Sequence, residues 1–473
     1  MKTRSRLDIS LLFLLIALIG FLAICVFYLV HNAHWMVGDE AIVIFHTGMG
    51  KAFSPLGFDG MVTSYGRLYP LAYSLYNVLL LFYKGYVPPS AIYTLHGIAL
   101  VILSVAFLIL ALRILRDIAR PWQCATAFFF VVICVFRVYT EFITCYTGVW
   151  IVYLFLPIFL LFSCRFMENE KWVDGIIALL AINYINYCYE TVFTIPLAIG
   201  MCSLIFNYKK MTPKKRLFSW LLTGSGILFL LIYAVVVLPN AHSFYQHYGT
   251  TTFIGNTFKM FFANKIYWFA SVVLIIRLIE IVFKKKPYTF YDSLLLASFA
   301  YFLGAAVLKL NYTYYYNIGA LIGLTASLYF LKNWMKPQWV CLIMLAFAIF
   351  YGRKIPGVIQ SYQKARVDTF KEMTTLSTLL DEGENLFWYE PPYEGDSPSY
   401  LDLRETSKVR IEVYLSWMKQ HDVSISGQPF FDGSKGVWLV YPGNDSDVPE
   451  IPSGLAQNSP VFSTSGIVGY QCE

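Results

Sequence analysis

Between Leu11 and Val30 no charged side chain interrupts the apolar sequence, and runs of similar length recur through the first 350 positions. About twenty apolar residues in a helix cross the hydrocarbon core of a bilayer, so the pattern reads as repeated membrane spans. The runs predict eleven transmembrane helices, over 9–30, 90–112, 122–140, 146–164, 173–189, 191–207, 217–238, 267–283, 292–308, 316–331 and 338–351. The first is longer than the roughly 7–15-residue apolar core of a signal peptide, and no small-residue cleavage site follows it. It therefore reads as a retained span.

Two stretches break this rhythm. Leu71–Tyr83 is apolar but too short to span comfortably; rich in tyrosine, it is expected to lie as an interfacial helix on the membrane face, inside a first outer loop, 31–89. A second outer loop, 239–266, carries His242, His247, Lys259 and Lys265. Beyond Gly352 the period changes. Thr369–Leu380 and Lys408–Lys419 read as amphipathic helices, and NLFWYE and GVWLVYP as strands. The expected architecture is an all-α polytopic membrane domain, 1–351, followed by a small α+β domain, 352–473, on the extracytoplasmic side.

Composition strengthens the membrane reading. The chain is 58% hydrophobic and 14% charged, against about 25% charged in an ordinary soluble protein. The basic residues also orient the spans. With Lys2, Arg4 and Arg6 inside, nineteen Lys and Arg before residue 352 fall on inner segments and seven on outer ones, as the positive-inside rule requires. The N-terminus is then cytoplasmic and the C-terminus extracytoplasmic. Topology thus accounts for the net charge of +7, and nothing points to a nucleic-acid partner. The nine cysteines are scattered, most of them within spans, with neither a disulfide framework nor zinc-ligand spacing. There is no P-loop, dinucleotide glycine motif, Gly-x-Ser-x-Gly or His-Glu-x-x-His. Nucleotide chemistry has no visible home on the inner side.

The candidate chemistry gathers on the outer rim. Asp39 and Glu40 open EAIVIFHTGMG, which reads as a short helix ending at Gly48 or Gly50. Acids in a first turn are favoured by the helix dipole, so the plain reading is a cap. The functional reading is a shielded carboxylate able to take a proton from a hydroxyl or to hold a metal ion. His31 and His34, three apart, have the spacing to share a helix face. Arg137 and Glu141, four apart at the outer end of the third span, are spaced for an ion pair. Arg67 and Tyr69 in GRLYP, Glu190, Lys309, and Arg353 with Lys354 complete the rim. Each cation there either snorkels to headgroups or clamps a phosphate.

A first span, an acidic doublet in GDEA a few residues into the outer loop, and an interfacial helix beginning GRLYPLAY together resemble the GT-C superfamily of integral membrane glycosyltransferases. In plan the chain is similar to the protein O-mannosyltransferases and the aminoarabinose transferases of lipid A. The resemblance implies transfer of a sugar from a polyprenyl-phosphate-linked donor to an envelope glycan, lipid or protein on the outer face of the membrane; short inner loops, simple topology and few processing signals point to a bacterial cytoplasmic membrane. It implies Asp39 as the acid that activates the acceptor, Glu40 as its neighbour and Glu141 as a further acid near the cavity. Arg67, Tyr69, Arg353 and Lys354 are the implied contacts to the lipid phosphate or sugar. A divalent metal, Mg or Mn, is an optional cofactor in such enzymes, and the chain has no clear Asp-x-Asp. Two other readings stand beside this one: a transporter or flippase of lipid-linked saccharides, and a non-enzymatic envelope assembly protein.

Overall fold

The computed structural model describes residues 8–36, 43–54, 68–144, 148–240, 253–307, 313–392, 398–441, 451–464 and 467–472. Asp39, Glu40, Arg67, His242, His247 and Lys309 lie outside the described residues. A helix stands at every expected span: α1 (Ile9–Val30), α2 (Pro89–Ile114), α3 (Arg120–Thr144), α4 (Val149–Asn169), α5 (Trp172–Asn186), α6 (Thr194–Asn207) and α7 (Pro213–Ile232). After α8 (Phe253–Ala263) come α9 (Lys265–Val282), α10 (Phe290–Val307), α11 (Asn317–Trp334) and α12 (Pro337–Gly352).

Among the described residues, 8 helical segments are long and apolar enough to cross a membrane, fewer than the eleven expected. The three others have physical reasons to fall short. α5 is only 15 residues long; α9 carries Lys265, Arg277 and Glu280; α11 is rich in Gly, Ala, Ser and Thr and is buried along nearly its whole length. α1 shows the opposite extreme. Leu14, Leu18, Leu22, Cys25 and Leu29 recur at helical spacing as its one buried stripe, and its other faces are left to lipid.

The Leu71–Tyr83 stretch differs from the helix expected of it. It forms a 3₁₀ helix over Ser74–Leu81, in which Tyr76 is buried while Leu81 and Phe82 are 80% and 76% exposed. The outward apolar pair suits a membrane face.

One end of the bundle is laced by ion pairs. Arg120 meets Asp8 at 2.7 Å, Arg113 and Arg116 share Glu168 at 2.7 and 3.0 Å, and Lys332 meets Asp117 at 3.0 Å. Exposed pairs of this kind contribute about 0–1 kcal/mol each. A buried fork is different in kind: Arg277 Nε lies 2.7 Å from Asp292 and Nη1 3.0 Å from Glu280, while Nη2 donates to the Pro287 carbonyl at 2.6 Å. That fork closes the α9–α10 hairpin.

The opposite end carries the C-terminal sheet. α13 (Ile355–Asp381) follows α12 after Arg353 and Lys354, and α14 is Pro398–Lys419. Strands β1 (Leu386–Tyr389), β2 (Ser426–Gln428), β3 (Gly436–Val440), β4 (Pro460–Thr464) and β5 (Ile467–Cys472) form one sheet, ordered β2-β1-β3-β5-β4. β1 runs parallel to β2 and β3; β5 is antiparallel to β3 and β4. α14 seats the sheet on the first loop. Tyr414 Oη donates to the Trp35 carbonyl at 3.1 Å, and Trp417 Nε1 to the Val87 carbonyl at 3.3 Å. Gly50, at φ +72°, lets the loop turn against the Gly85 backbone, where no side chain would fit.

His31 and His34 do not share a helix face. α1 ends at Val30 and the chain turns through Asn32 at φ 53°, so His31 stacks on Phe27 at 5.0 Å and His34 on Phe370 of α13 at 4.0 Å. Burial, and then the nearby Arg366 charge, hold the His34 imidazole below its ordinary pKa of 6.5. A depressed histidine binds fewer protons folded than unfolded, so its stabilising share is complete above about pH 6.5 and drains as pH falls below that. The seating of α13 is expected to melt earlier at pH 5.5 than at pH 8, read by limited proteolysis of the tail in detergent. In His34→Phe that part of the pH dependence should vanish; an unchanged profile would remove His34 as its source.

Candidate functional site

The sheet end of the bundle also collects buried polar groups. Glu141, in the last turn of α3, is 2% exposed, and Glu190, just after α5, is 4% exposed. Carboxylates are almost never buried without a purpose or a partner. Between them stands a wall of tyrosines. The 3₁₀ turn Thr313–Tyr316 leads into α11, and three successive carbonyls of that turn each accept a tyrosine hydroxyl. Tyr153 of α4 donates to Tyr314 at 2.8 Å, Tyr301 of α10 to Tyr315 at 2.9 Å, and Tyr267 of α9 to Tyr316 at 3.0 Å. At roughly 0.5–1.5 kcal/mol net for each bond, the three fix the turn to three different helices. Thr191, next to Glu190, donates to Tyr301 Oη at 3.0 Å, and Tyr189 stacks on Tyr315 at 5.6 Å. Glu141 lies within electrostatic range of Tyr153, and Glu190 of Tyr301.

The expected Arg137–Glu141 ion pair is not formed. Arg137 turns to α11 instead: its Nη2 donates to Asn317 Oδ1, and Asn317 Nδ2 returns a bond to the Arg137 carbonyl at 2.7 Å. The guanidinium lies 4.8 Å from the Tyr351 ring, and its Nε is buried without a hydrogen-bond partner. No ion pair joins Arg137 among the described residues. A cation without a carboxylate thus sits one helical turn from Glu141, on the same face of α3.

Tyr69 is carried to this end by backbone contacts. Leu71 N donates to the Tyr187 carbonyl at 2.9 Å, and Cys188 Sγ to the Leu71 carbonyl at 3.4 Å. Gly148, at the start of α4, faces the Ala72 carbonyl so closely that a Cβ would collide with it. The stretch from Tyr69 to Ala72 therefore passes between the end of α5 and the start of α4. Arg353 and Lys354 take a different place, exposed on the joint between α12 and α13, with Arg353 4.7 Å over Phe350. The structure thus brings Glu141, Glu190, Tyr69 and Arg137 to one end of the bundle. It leaves Arg353 and Lys354 on the rim, and Asp39, Glu40 and Arg67 outside the described residues.

Other residues at this end escape any reading of the sequence. Arg366 of α13 is fully buried. Its Nη1 donates to the Leu29 carbonyl at 3.1 Å and its Nη2 to the Ile143 carbonyl, while the guanidinium covers the Tyr93 ring at 3.8 Å. Both carbonyls belong to the last turns of helices, where a cation is favoured. His96 lies between Phe142 O at 2.6 Å and Tyr76 Oη at 2.7 Å. A carbonyl only accepts, so Nδ1 carries the proton and Nε2 of the neutral ring accepts from the tyrosine. Arg366 offered no local signal, because its partners stand 337 and 223 positions away. The run TYYY before a span was visible, but its role as an acceptor turn was not. Among the described residues no three His, Cys, Asp or Glu side chains gather as a metal site would require.

No protein-family model and no curated protein matches the sequence. In structure the chain is similar to ArnT from Cupriavidus metallidurans, solved bound to undecaprenyl phosphate. The likeness covers 97% of this chain and 98% of that one, with a TM-score of 0.50 and 8% sequence identity. The chain is a polytopic membrane protein with the GT-C-like fold.

Proposed function

We propose that the chain transfers a sugar from a polyprenyl-phosphate-linked donor to an acceptor of the cell envelope (a glycan, lipid or protein) at the sheet end of the bundle. The observation that carries this reading is the pair of buried acids, Glu141 and Glu190, set in a tyrosine wall at one end of a full-length GT-C-like fold. Tyrosine faces and hydroxyls suit a sugar, which presents apolar ring faces and hydrogen-bonding rims. The undecaprenyl phosphate held by the similar structure supports a lipid donor of that class. The positive-inside balance turns the sheet end outward, away from the cytoplasm of a bacterial cell.

The chemistry asks little of the protein beyond placement and charge. The acceptor oxygen attacks the anomeric carbon as the bond from that carbon to the lipid phosphate oxygen breaks; the electron pair leaves with the phosphate. Asp39 takes the proton from the acceptor hydroxyl, Glu40 supports it, and Glu141 orients the sugar or acceptor. Arg67 and Arg137 stabilise the phosphate as its charge develops. Tyr69 holds the sugar. Arg353 and Lys354 stand apart from these groups, out on the rim.

Membrane vesicles test the reading. With a panel of radiolabelled polyprenyl-phosphate sugars, label should pass to an acceptor on right-side-out vesicles and require permeabilisation of inverted ones. Label that crosses the membrane still attached to its lipid would instead make the chain a transporter.

A further inference from the structure

On its lipid-facing side the bundle has a cavity of about 490 Å³ between α1, α3 and the α12–α13 joint, well within the roughly 300–1,000 Å³ of sites that enclose a ligand. Its walls are apolar: Phe21 and Ile24 of α1, Phe136 of α3, and Ile355 and Ile359 of α13. All lie in the half of the bundle nearest the sheet. Its rim is polar. Gln360 and Gln363 stand on α13, and Gln363 donates to the Tyr28 carbonyl at 3.4 Å. Gly352 and Ile355 line the cavity, and the two residues between them are the exposed cations Arg353 and Lys354. Neither side chain has an acidic partner among the described residues. An apolar slot with two unneutralised cations beside it, at the α12–α13 joint, is complementary to a lipid chain carrying a negative headgroup.

We propose that this groove holds one acyl chain of a resident anionic phospholipid, whose phosphate is bound by Arg353 and Lys354. The groove is turned away from the candidate site. Phe136, in its wall, and Glu141 are five residues apart on α3, about 140° around a helix of roughly 3.6 residues per turn. A lipid seated against Phe136 therefore lies across α3 from Glu141, so the occupant is a resident membrane lipid rather than the sugar donor. Such a lipid would fill the seam that α1, with its single buried stripe, leaves open toward α12 and α13.

Native mass spectrometry of the full chain, delipidated in mild detergent and then offered phosphatidylglycerol or phosphatidylcholine, tests this. The wild type should retain phosphatidylglycerol in preference, one molecule per chain. Arg353→Gln with Lys354→Gln should lower that retention roughly thirtyfold, the scale set by two basic residues near an anionic lipid. Ile359→Trp should reduce retention of both lipids by filling the groove. Should that variant fail to accumulate, the glutamine pair alone decides, since both positions are exposed. Equal retention of the two lipids by the wild type would overturn the proposal, as would a glutamine pair that binds like wild type. Recovery of a polyprenyl phosphate, rather than a phospholipid, from protein purified out of native membranes would also overturn it, and would return the two cations to the donor.

Discussion

Asp39→Asn is expected to lower sugar transfer about 10²–10⁴-fold, the range over which a positioned general base contributes, while the protein accumulates and inserts as wild type does. The substitution keeps size and hydrogen-bonding reach but removes the group that, in the proposed reaction, accepts the proton. The attacking oxygen must then lose its proton to water. Glu141→Gln should be milder in kcat and heavier on KM if, as proposed, Glu141 orients a substrate rather than accepting its proton. The comparison is informative because a helix cap behaves differently: asparagine caps a first turn about as well as aspartate. A well-expressed Asp39→Asn chain with unimpaired transfer would reduce the doublet to that cap.

The second large effect is on stability. Arg366→Met preserves much of the side chain's length and apolar stem, yet strands the Leu29 and Ile143 carbonyls that Arg366 serves. A buried acceptor left unpaired costs about 1–3 kcal/mol, so two put the expected loss near 2–6 kcal/mol. The stacking on Tyr93 goes as well. Arg366→Lys keeps the charge but reaches from a single nitrogen, and should fall between the two. Melting in detergent, with proteolysis of the tail as a local readout, measures both. If Arg366→Met melts with the wild type, the guanidinium is not what joins α13 to the ends of α1 and α3.

These two predictions differ in how much of their basis a sequence reader can see. Asp39 is prominent in sequence because a charge pair one step beyond a span breaks an otherwise apolar pattern. The spans were legible for the same reason: lipid exposure imposes one simple rule on every helix. Strands at NLFWYE and GVWLVYP were visible as β1 and β3, since aromatic residues cluster in the first and valines with aromatics in the second. β2 carries no such local signature; SGQ is a strand because it lies beside Phe387 to Tyr389, whereas β4 and β5 do hold Val, Phe, Thr, Ile and Tyr but are short and set among turn residues. The Arg137–Glu141 pair failed for a related reason. Spacing on one helix names the neighbours within reach, but Asn317, 180 positions later, offers Arg137 a better partner. Arg366 is the limiting case, because nothing near it in sequence says what it touches. Glu141 was singled out from its place at a span's end, whereas the tyrosine wall beside it is assembled from three helices and the turn that precedes α11.

The contacts that Trp35 and Leu29 make with the tail have a further meaning for biogenesis. Tyr414 reaches the Trp35 carbonyl across 379 positions, and Arg366 reaches Leu29 across 337. At a synthesis rate of about 5–20 residues per second, the first hairpin of the protein waits on the order of 20–80 s for the groups that complete it. Until then the ends of α1 and α3 hold open carbonyls and bare aromatic rings at the membrane surface. A prematurely terminated chain would keep them so permanently, giving surveillance proteases a mark that separates an unfinished product from a finished one.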